Sequence, residues 1–317
     1  MHIDYLRVSV TDRCNLRCVY CNPMGDCGFI DHREILRFEE IHRVVRLFAE
    51  CGVSKVRLTG GEPLVRKNIV SLVEKLAATA GIKELSLTTN GVLLEQMAAE
   101  LKAAGLNRVN VSVDSAEREN YRVITGFDLL GKVTRGIYKA IEAGLRPVKI
   151  NAVILKGINE CQIPALARIS IHMPVAVRFI EYCPTNKHTR PASDFVPNSL
   201  VRKIIEERFG PVVHVVGETG NGPAVYFKIK DSAGCIGFIS GRSQLFCRSC
   251  NRLRLTSDGK IRPCLYSAHS YDLKELLRSR ATNHELLYLL KNIISEKGNY
   301  TKLNSFTKEF SMCNVGG

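Results

Sequence analysis

Residues 10–23, VTDRCNLRCVYCNP, place three cysteines directly after the strand-like run LRVSV. Cys14, Cys18 and Cys21 have the spacing C-x3-C-x2-C. Parallel-sheet folds assemble their sites at the carboxyl ends of strands, so this position is functional. Soft, clustered thiolates select zinc, copper(I) or an iron–sulfur cluster. The stretch therefore predicts a metal or cluster site on an α/β fold.

The number of cysteines narrows the kind of site. A closed structural zinc site takes four ligands, and Cys27 or His32 would have to supply the fourth. Neither residue stands at the usual paired zinc spacing. A four-iron cluster held by three cysteines leaves one iron open to a small molecule. We favour the cluster because the missing ligand then has a purpose.

Strand-like runs alternate with helix-like segments from the N-terminus onward. The runs are LRVSV, KVRLTG, ELSLTTN, RVNVSVD, PVKINAV and VAVRFIE, and the segments between them, such as FEEIHRVVRLFAEC, carry apolar residues at helical spacing. Gly52, Gly105 and Gly144 follow three helical segments and suit left-handed C-caps. Repeated βα units predict a parallel sheet, either open or closed into a barrel.

The predicted strands are polar on one face, although parallel strands covered by helices are usually apolar throughout. The polar positions are Arg7, Ser9, Thr11, Lys55, Arg57, Thr59, Ser86, Thr88, Asn110, Ser112, Asp114, Lys149, Asn151 and Arg178. We expect these faces to line a shared lumen that accepts a multiply charged ligand. The alternative is an amphipathic sheet with one hydrated face.

Composition indicates a folded protein of a reducing compartment. The 317 residues are 45% hydrophobic, and neither a signal-peptide pattern nor an apolar run of membrane-spanning length is present. Twelve cysteines without a signal favour metal or redox chemistry in the cytoplasm over disulfides. The net charge of +14 favours polyanionic ligands. A zinc-containing nucleic-acid-binding module is an alternative, but aromatic residues are only 7% and tryptophan is absent.

A second cysteine triad follows a change in sequence character. The stretch PTNKHTRPASDFVP, residues 184–197, interrupts the βα alternation and predicts a boundary between domains 1–190 and 191–317. Cys247, Cys250 and Cys264 then have the spacing C-x2-C-x13-C. Zinc is a stronger alternative here, because His269 or Cys235 would supply a fourth ligand. Arg252 and Arg254, two residues apart, point the same way on an extended segment and suit a phosphate or a base edge; the alternative is a solvated basic turn.

The second predicted strand ends in TGGEP, residues 59–63. Its adjacent glycines allow backbone N–H groups to approach a ligand closely, and Glu62 offers a carboxylate. TTNG (88–91) and SVD (112–114) end the next two strands. The sequence has no P-loop, so side-chain cations would have to bind any nucleotide.

The triad C-x3-C-x2-C, GGEP and the polar strand ends together resemble the radical S-adenosylmethionine enzymes. With C-x2-C-x13-C, N-R-x-R after its second cysteine, and the terminal Gly316–Gly317, the chain resembles the GTP 3′,8-cyclase family of molybdenum cofactor biosynthesis, from about Arg7 to the last residue. The resemblance implies an incomplete (βα)6 TIM-type barrel with a smaller C-terminal iron–sulfur domain closing its mouth.

The resemblance also implies roles for individual residues. Cys14, Cys18 and Cys21 would hold the four-iron cluster that binds S-adenosylmethionine, and Cys247, Cys250 and Cys264 a second four-iron cluster that meets the guanine. The cofactor contacts would be Tyr20, Gly61, Ser112 and Cys183. The substrate contacts would be Arg7, Arg57, Thr88, Lys149, Arg252 and Arg254, and Arg178, Gly316 and Gly317 would act in catalysis. Cys183, in FIEYC, stands where the family commonly has Met, and the residues before the first strand lack the family's D-x-x-G-R-x-I.

The implied reaction is a radical cyclisation. The first cluster would deliver one electron to S-adenosylmethionine, the resulting 5′-deoxyadenosyl radical would abstract hydrogen from C3′ of GTP, and C3′ would bond to C8. The implied partners are an electron donor, a second copy in a homodimer, and the cyclic pyranopterin monophosphate synthase that takes the product, without membrane or nucleic acid. The rival within the superfamily is another two-cluster enzyme that acts on a peptide.

Overall fold

One mixed sheet organises the molecule. The computed structural model describes residues 2–23, 29–184, 189–216, 222–279, 281–300 and 312–316. Across these residues the strands form a twelve-stranded sheet in the order β12-β11-β10-β1-β2-β3-β4-β5-β6-β9-β8-β7. The strands are β1 (Tyr5–Ser9), β2 (Lys55–Thr59), β3 (Glu84–Thr89), β4 (Arg108–Ser112), β5 (Val148–Ile154), β6 (Val175–Glu181), β7 (Val213–Val215), β8 (Val225–Lys228), β9 (Cys235–Ile239), β10 (Arg252–Leu255), β11 (Lys260–Arg262) and β12 (Tyr271–Asp272).

Helices connect the parallel strands. They are α1 (Phe38–Glu50), α2 (Ile69–Ala77), α3 (Leu94–Ala103), α4 (Arg118–Thr125), α5 (Leu130–Glu142), α6 (Ile163–His172), α7 (Asn198–Phe209), α8 (Lys274–Arg278), α9 (Asn283–Glu296) and α10 (Met312–Val315). As predicted, Gly52, Gly105 and Gly144 end α1, α3 and α5 at positive φ of 96°, 96° and 76°. Within the described residues, no helix has the length and apolar character that crossing a membrane requires.

Strands β1 to β6 are all parallel and lie side by side in chain order. Each of the five connections carries at least one helix, and α7 follows β6, which gives six βα units. The sheet does not close, because β12 and β7 stand at its two ends rather than pairing with each other. This confirms the predicted incomplete (βα)6 barrel.

The C-terminal part of the chain extends the same sheet at both edges. Strand β9 pairs in parallel with β6, and β10 pairs in parallel with β1. In the pairing of β10 with β1, Arg254 lies beside Arg7. Arg7 in turn lies beside Arg57 of β2. The residues after the predicted boundary are thus joined to the barrel strands by backbone hydrogen bonds, and the boundary itself stays a prediction.

The apolar strand faces and the helices share one core. Leu6 and Val8 of β1 pack in the same buried cluster as Ile41, Val44 and Phe48 of α1. Burial of this area is the main stabilising contribution to such a fold. Because the apolar faces are occupied by helices, the opposite, polar faces are turned to the inside of the open barrel.

Candidate active site

Both cysteine triads line a single cavity of about 390 Å³ on the polar side of the sheet. The predicted site residues on its wall are Cys14, Cys18, Cys21, Cys247, Cys250, Cys264, Arg7, Arg57, Arg178, Arg252, Arg254, Tyr20, Gly61, Thr88, Ser112 and Cys183. The volume is that of a small-molecule or cofactor site. Residues from both ends of the chain therefore meet in one place.

The first triad lies on a loop that is fixed by backbone hydrogen bonds. The Arg17 and Val19 amides, on either side of Cys18, donate to the carbonyls of Thr125 and Ile124 at 2.9 and 3.0 Å. The Cys21 amide donates to the Cys18 carbonyl at 2.9 Å. The end of α4 thus positions the cysteine loop over the cavity.

The glycine pair of TGGEP also holds the cysteine loop. The Gly61 N–H donates to the Thr11 carbonyl at 2.7 Å, and the Glu62 N–H donates to the Arg13 carbonyl at 2.8 Å. A Cβ on Gly61 would lie 2.3 Å from the Arg13 carbonyl oxygen, which no side chain tolerates. The backbone approach expected at this motif is therefore to the cysteine loop, and Gly61 presents its open side to the cavity.

Glu62 is buried and ties two strand ends together. Its carboxylate accepts hydrogen bonds from the Leu64 amide at 3.0 Å, the Thr89 hydroxyl at 2.7 Å and the Asn90 amide at 2.6 Å. Burial raises its pKa to about 7, although these donors oppose the rise. Glu62 thus stabilises the loops around the first triad by hydrogen bonds, and its side chain is not part of the cavity wall.

Tyr20, between the second and third cysteines, is linked to strand β4. Its hydroxyl donates to Asp114 Oδ2 at 2.6 Å, and the Val153 amide donates to Oδ1 of the same carboxylate at 2.8 Å. Burial raises the pKa of Asp114 to about 6. Both side chains line the cavity, so Asp114 fixes a predicted cofactor contact.

The first two cysteines of the second triad flank a single helical turn, Cys247–Ser249. The Cys250 amide closes this turn by donating to the Cys247 carbonyl at 3.2 Å. Burial alone would raise the pKa of Cys250, but the positive charges of Arg252 and Lys297, together with hydrogen bonds from Arg252, outweigh it and hold this pKa below its ordinary value. A thiol that loses its proton readily is suited to bind a metal centre.

Buried guanidinium groups form the cationic part of the wall. Arg7, Arg57, Arg178 and Arg254 are all buried, and burial together with their neighbouring positive charges lowers their pKa values, to about 10 for Arg57 and Arg254. Arg178 Nε donates to Asn151 Oδ1 at 2.9 Å. So many buried cations on one wall are unfavourable unless a multiply charged anion enters.

Lys149 lies outside the cavity wall, unlike the other predicted substrate contacts. Its register partner on β6 is Ala176, two residues before Arg178, so it sits one layer deeper in the sheet. Its ammonium donates to the Tyr226 hydroxyl at 3.4 Å. Any action on the substrate would be through its charge.

The C-terminal tail enters the site. Residues Met312–Val315 form α10, Met312 lines the cavity, and the Gly316 carbonyl accepts a hydrogen bond from Arg254 Nη1 at 2.5 Å. Gly317 lies outside the described residues, as does Cys27, so their predicted roles stay predictions.

Comparison with known proteins places this arrangement in a family. Residues 8–169 match the Radical SAM superfamily, and residues 175–303 match the domain described as Molybdenum Cofactor Synthesis C. GTP 3′,8-cyclase of Pelotomaculum thermopropionicum is 46% identical over 317 residues, covering 99% of this chain and 98% of the relative. That of Moorella thermoacetica is 43% identical over 316 residues, covering 99% and 98%. The chain belongs to the GTP 3′,8-cyclase family.

A solved structure agrees with the fold of this GTP 3′,8-cyclase family member. Streptococcus suis SuiB bound to S-adenosylmethionine is similar with a TM-score of 0.62 and 17% identity, covering 90% of this chain and 68% of that chain. At this identity the likeness concerns the fold alone. It supports the open radical S-adenosylmethionine barrel derived above.

The cofactors of the GTP 3′,8-cyclase family, S-adenosylmethionine and four-iron clusters, fit the residues present. Each triad offers three thiols on the same cavity wall, the donor type that iron–sulfur clusters take. Among the described residues, no three His, Cys, Asp or Glu side chains are drawn together as around a single metal ion. Burial raises the pKa of Cys14 to about 11, so its thiol keeps its proton until a metal centre displaces it.

Sequence reasoning missed several residues of this GTP 3′,8-cyclase family site, among them Asp114, Lys297 and Tyr300. Asp114 had been placed only on a polar strand face, whereas it binds the Tyr20 hydroxyl. Lys297 and Tyr300, just after α9, line the cavity beside the second triad. Their sequence, SEKGNY, carries no motif, and only the packing of α9 against the barrel brings them to the site.

Proposed function

We propose that the protein is a lyase that converts GTP to (8S)-3′,8-cyclo-7,8-dihydroguanosine 5′-triphosphate, the first step of molybdenum cofactor biosynthesis. The observation that carries the proposal is the shared cavity: two cysteine triads and a wall of buried arginines face one space, in a chain of the GTP 3′,8-cyclase family. The proposed reaction requires a polyanionic substrate, GTP, to bind between the two cluster sites.

The first triad would hold the cluster that binds S-adenosylmethionine. When bound, cluster and cofactor supply the one-electron chemistry that removes a hydrogen atom from C3′ of GTP. The chain's own part is to orient the cofactor: Tyr20 is fixed by Asp114, while Gly61 and Ser112 give the wall its shape. Cys183 also lines the cavity, and we propose that it replaces the family Met at the adenosyl group.

Arg7, Arg57, Arg178 and Arg252 would bind the triphosphate and ribose of GTP. They come from β1, β2 and β6 of the barrel and from β10, so they approach one ligand from different sides. Charge-assisted hydrogen bonds from guanidinium groups are well suited to phosphate oxygens. Such fixed contacts keep C3′ and C8 in reacting geometry and exclude water.

The second triad would hold the cluster that meets the guanine base. Cys247, Cys250 and Cys264 stand on the same cavity as the first triad, and Arg254 connects this region to the tail. The tail residues Gly316 and Gly317 would act on the substrate from the remaining side. The division of labour is then one cluster for initiation and one for orientation of the base.

Family membership suggests further properties of this protein. We propose domains 1–190 and 191–317, a cytoplasmic location, a homodimer, a low-potential electron donor, and transfer of the product to cyclic pyranopterin monophosphate synthase. The positive net charge of +14 is compatible with an acidic electron carrier.

A labelling experiment tests the proposed reaction. Anaerobically reconstituted protein is given S-adenosylmethionine, a strong one-electron reductant and GTP deuterated at C3′, and 5′-deoxyadenosine is followed by mass spectrometry. Deuterium in 5′-deoxyadenosine is the expected result. Unlabelled 5′-deoxyadenosine from a preparation with both clusters would exclude GTP C3′ as the site of abstraction.

A further inference from the structure

The second triad has a buried lysine beside it that no motif predicted. Lys297 is only 3% exposed, lines the cavity together with Cys250, and belongs to the single turn Lys297–Asn299 after α9. Among the described residues, no carboxylate forms an ion pair with its ammonium. A buried ammonium is costly without a counter-charge, and the place of Lys297 on the cavity wall allows a group bound in the cavity to supply one.

The surroundings of the second triad are cationic on the buried side. Arg252 and Arg254 lie on β10, two and four residues after Cys250, and Arg254 is buried. Arg252 and Lys297 line the same cavity wall as Cys250, and the positive charges of both act on its sulfur. The Cys250 sulfur therefore lies close to fixed positive charges.

The first triad has the opposite surroundings. The buried charged groups on its loop and on the loops that hold it are carboxylates: Asp12 of the cysteine loop, Glu62, and Asp114, which is bound to the Tyr20 hydroxyl. Its arginines, Arg13 and Arg17, are exposed and so are screened by solvent and salt. The two triads thus differ in their buried neighbours: carboxylates lie on the loops around the first, whereas Lys297 and Arg254 lie beside the second, where the Glu181 carboxylate is bound by the Arg242 and Ser243 amides.

We propose that Lys297 is the counter-cation of the second cluster and holds the reduction potential of that cluster above that of the first. Each reduction adds one electron from an external reductant to one cluster, with no bond formed or broken. A fixed positive charge at low dielectric stabilises the reduced, more negative cluster, and a negative charge does the reverse. The inference rests on the proposed cluster ligands and not on GTP being the substrate.

Redox titration of the anaerobic holoprotein, followed by electron paramagnetic resonance, tests this proposal without GTP. The cluster whose signal changes when S-adenosylmethionine is added is the first. In the wild type the other cluster is expected to be reduced at the higher potential. Lys297→Met should lower the midpoint potential of the second cluster and leave that of the first unchanged, while Lys297→Arg should restore it.

Arg248→Met is the matched control. It removes a positive charge between Cys247 and Cys250, but Arg248 is exposed, so its charge is screened and the midpoint should hardly move. An unchanged midpoint in Lys297→Met together with weaker GTP binding would overturn the proposal and make Lys297 a substrate contact. If Lys297→Met does not retain the second cluster, the two midpoint potentials of the wild type test the proposal by themselves. The proposal is contradicted if the two potentials are equal or if that of the second cluster is the lower.

Discussion

Arg254 donates a hydrogen bond from Nη1 to the carbonyl oxygen of Gly316 at 2.5 Å, which joins β10, the strand between Cys250 and Cys264, to the C-terminal tail. Gly316 has φ = 78°, and a Cβ there would lie 2.4 Å from Thr59 Cγ2. Only glycine meets both conditions. The tail therefore lies in the cavity because Gly316, which has no side chain, can approach Thr59 closely and accept the Arg254 hydrogen bond.

Gly316→Ala should lower the rate of product formation at least about tenfold, because a misplacement that costs about 1.4 kcal/mol in the transition state has that effect. S-adenosylmethionine binding should be unchanged, since the first triad is untouched. Single-turnover product formation and cofactor binding would be measured side by side. Gly298→Ala is the control, because a Cβ at Gly298 has no neighbour within 4 Å. Equal rates in both variants would mean that the tail has no part in turnover.

Cys250→Ser should separate the two halves of the site. The variant keeps Cys14, Cys18 and Cys21, so S-adenosylmethionine should still bind, whereas cyclisation should fall below detection because the second cluster loses a thiolate. Iron content, S-adenosylmethionine binding and product would be measured on one preparation. Cys161→Ser, at an exposed cysteine away from both triads, is the control. Cyclisation at the wild-type rate in Cys250→Ser would remove the second cluster from the mechanism.

The local pattern of the sequence predicted the sheet and the arginines of the cavity wall. Alternating polar residues on β1, β2 and β6 gave Arg7, Arg57 and Arg178, because alternation in a strand directly decides the face. Alternation does not decide depth. Lys149 is on the predicted strand, but its register beside Ala176 keeps it off the cavity wall.

Contacts between distant segments were beyond the reach of the sequence. The N–H groups of the GGEP motif bind the cysteine loop, since the register of β2 beside β1 sets Gly61 against Thr11. Lys297 arrives at the second triad only through the packing of α9. Neither feature follows from periodicity or spacing, because both depend on how separate elements are placed in three dimensions.

Glu181, the last residue of β6, anchors the segment that leads to the second triad. Its carboxylate accepts hydrogen bonds from the Arg242 amide at 2.9 Å, from the Ser243 amide at 2.8 Å and from the Asn198 amide at 3.1 Å, and the Ser243 hydroxyl also donates to it. Hydrogen bonds to a buried charged group contribute about 1.5–3 kcal/mol each. This carboxylate therefore fixes the chain just before Cys247.

Glu181→Gln should reduce loading of the second cluster, because an amide NH2 then faces backbone donors. Iron content after reconstitution should move from about eight toward about four atoms per chain. Arg242→Ala is the control: it removes the side chain, including its bond to the Ala192 carbonyl at 2.9 Å, but keeps the amide that Glu181 binds. If the control loses as much iron as Glu181→Gln, the arginine side chain and not the carboxylate holds the segment.

Lys149 is expected to destabilise the ligand-free protein in a pH-dependent way. Burial, with the nearby charges of Arg178, Arg108 and Arg57, lowers its pKa from 10.5 to about 6. Between these two values the unfolded chain binds one proton more than the folded one, so the stability contributed by this group rises with pH. Its unfavourable contribution is complete below about pH 6 and disappears above about pH 10.5.

Lys149→Met should therefore raise the unfolding temperature of the anaerobic holoprotein by several degrees near pH 6, and the gain over the wild type should shrink as the pH approaches 10. Scanning fluorimetry over this pH range would measure it. Lys55→Met is the control, because Lys55 pairs with Asp4 at 2.9 Å and its removal should not stabilise. A gain that does not depend on pH would point to better packing of the methionine. A gain that follows the titration, combined with weaker GTP binding, would show that the barrel keeps a costly buried charge because the substrate is an anion.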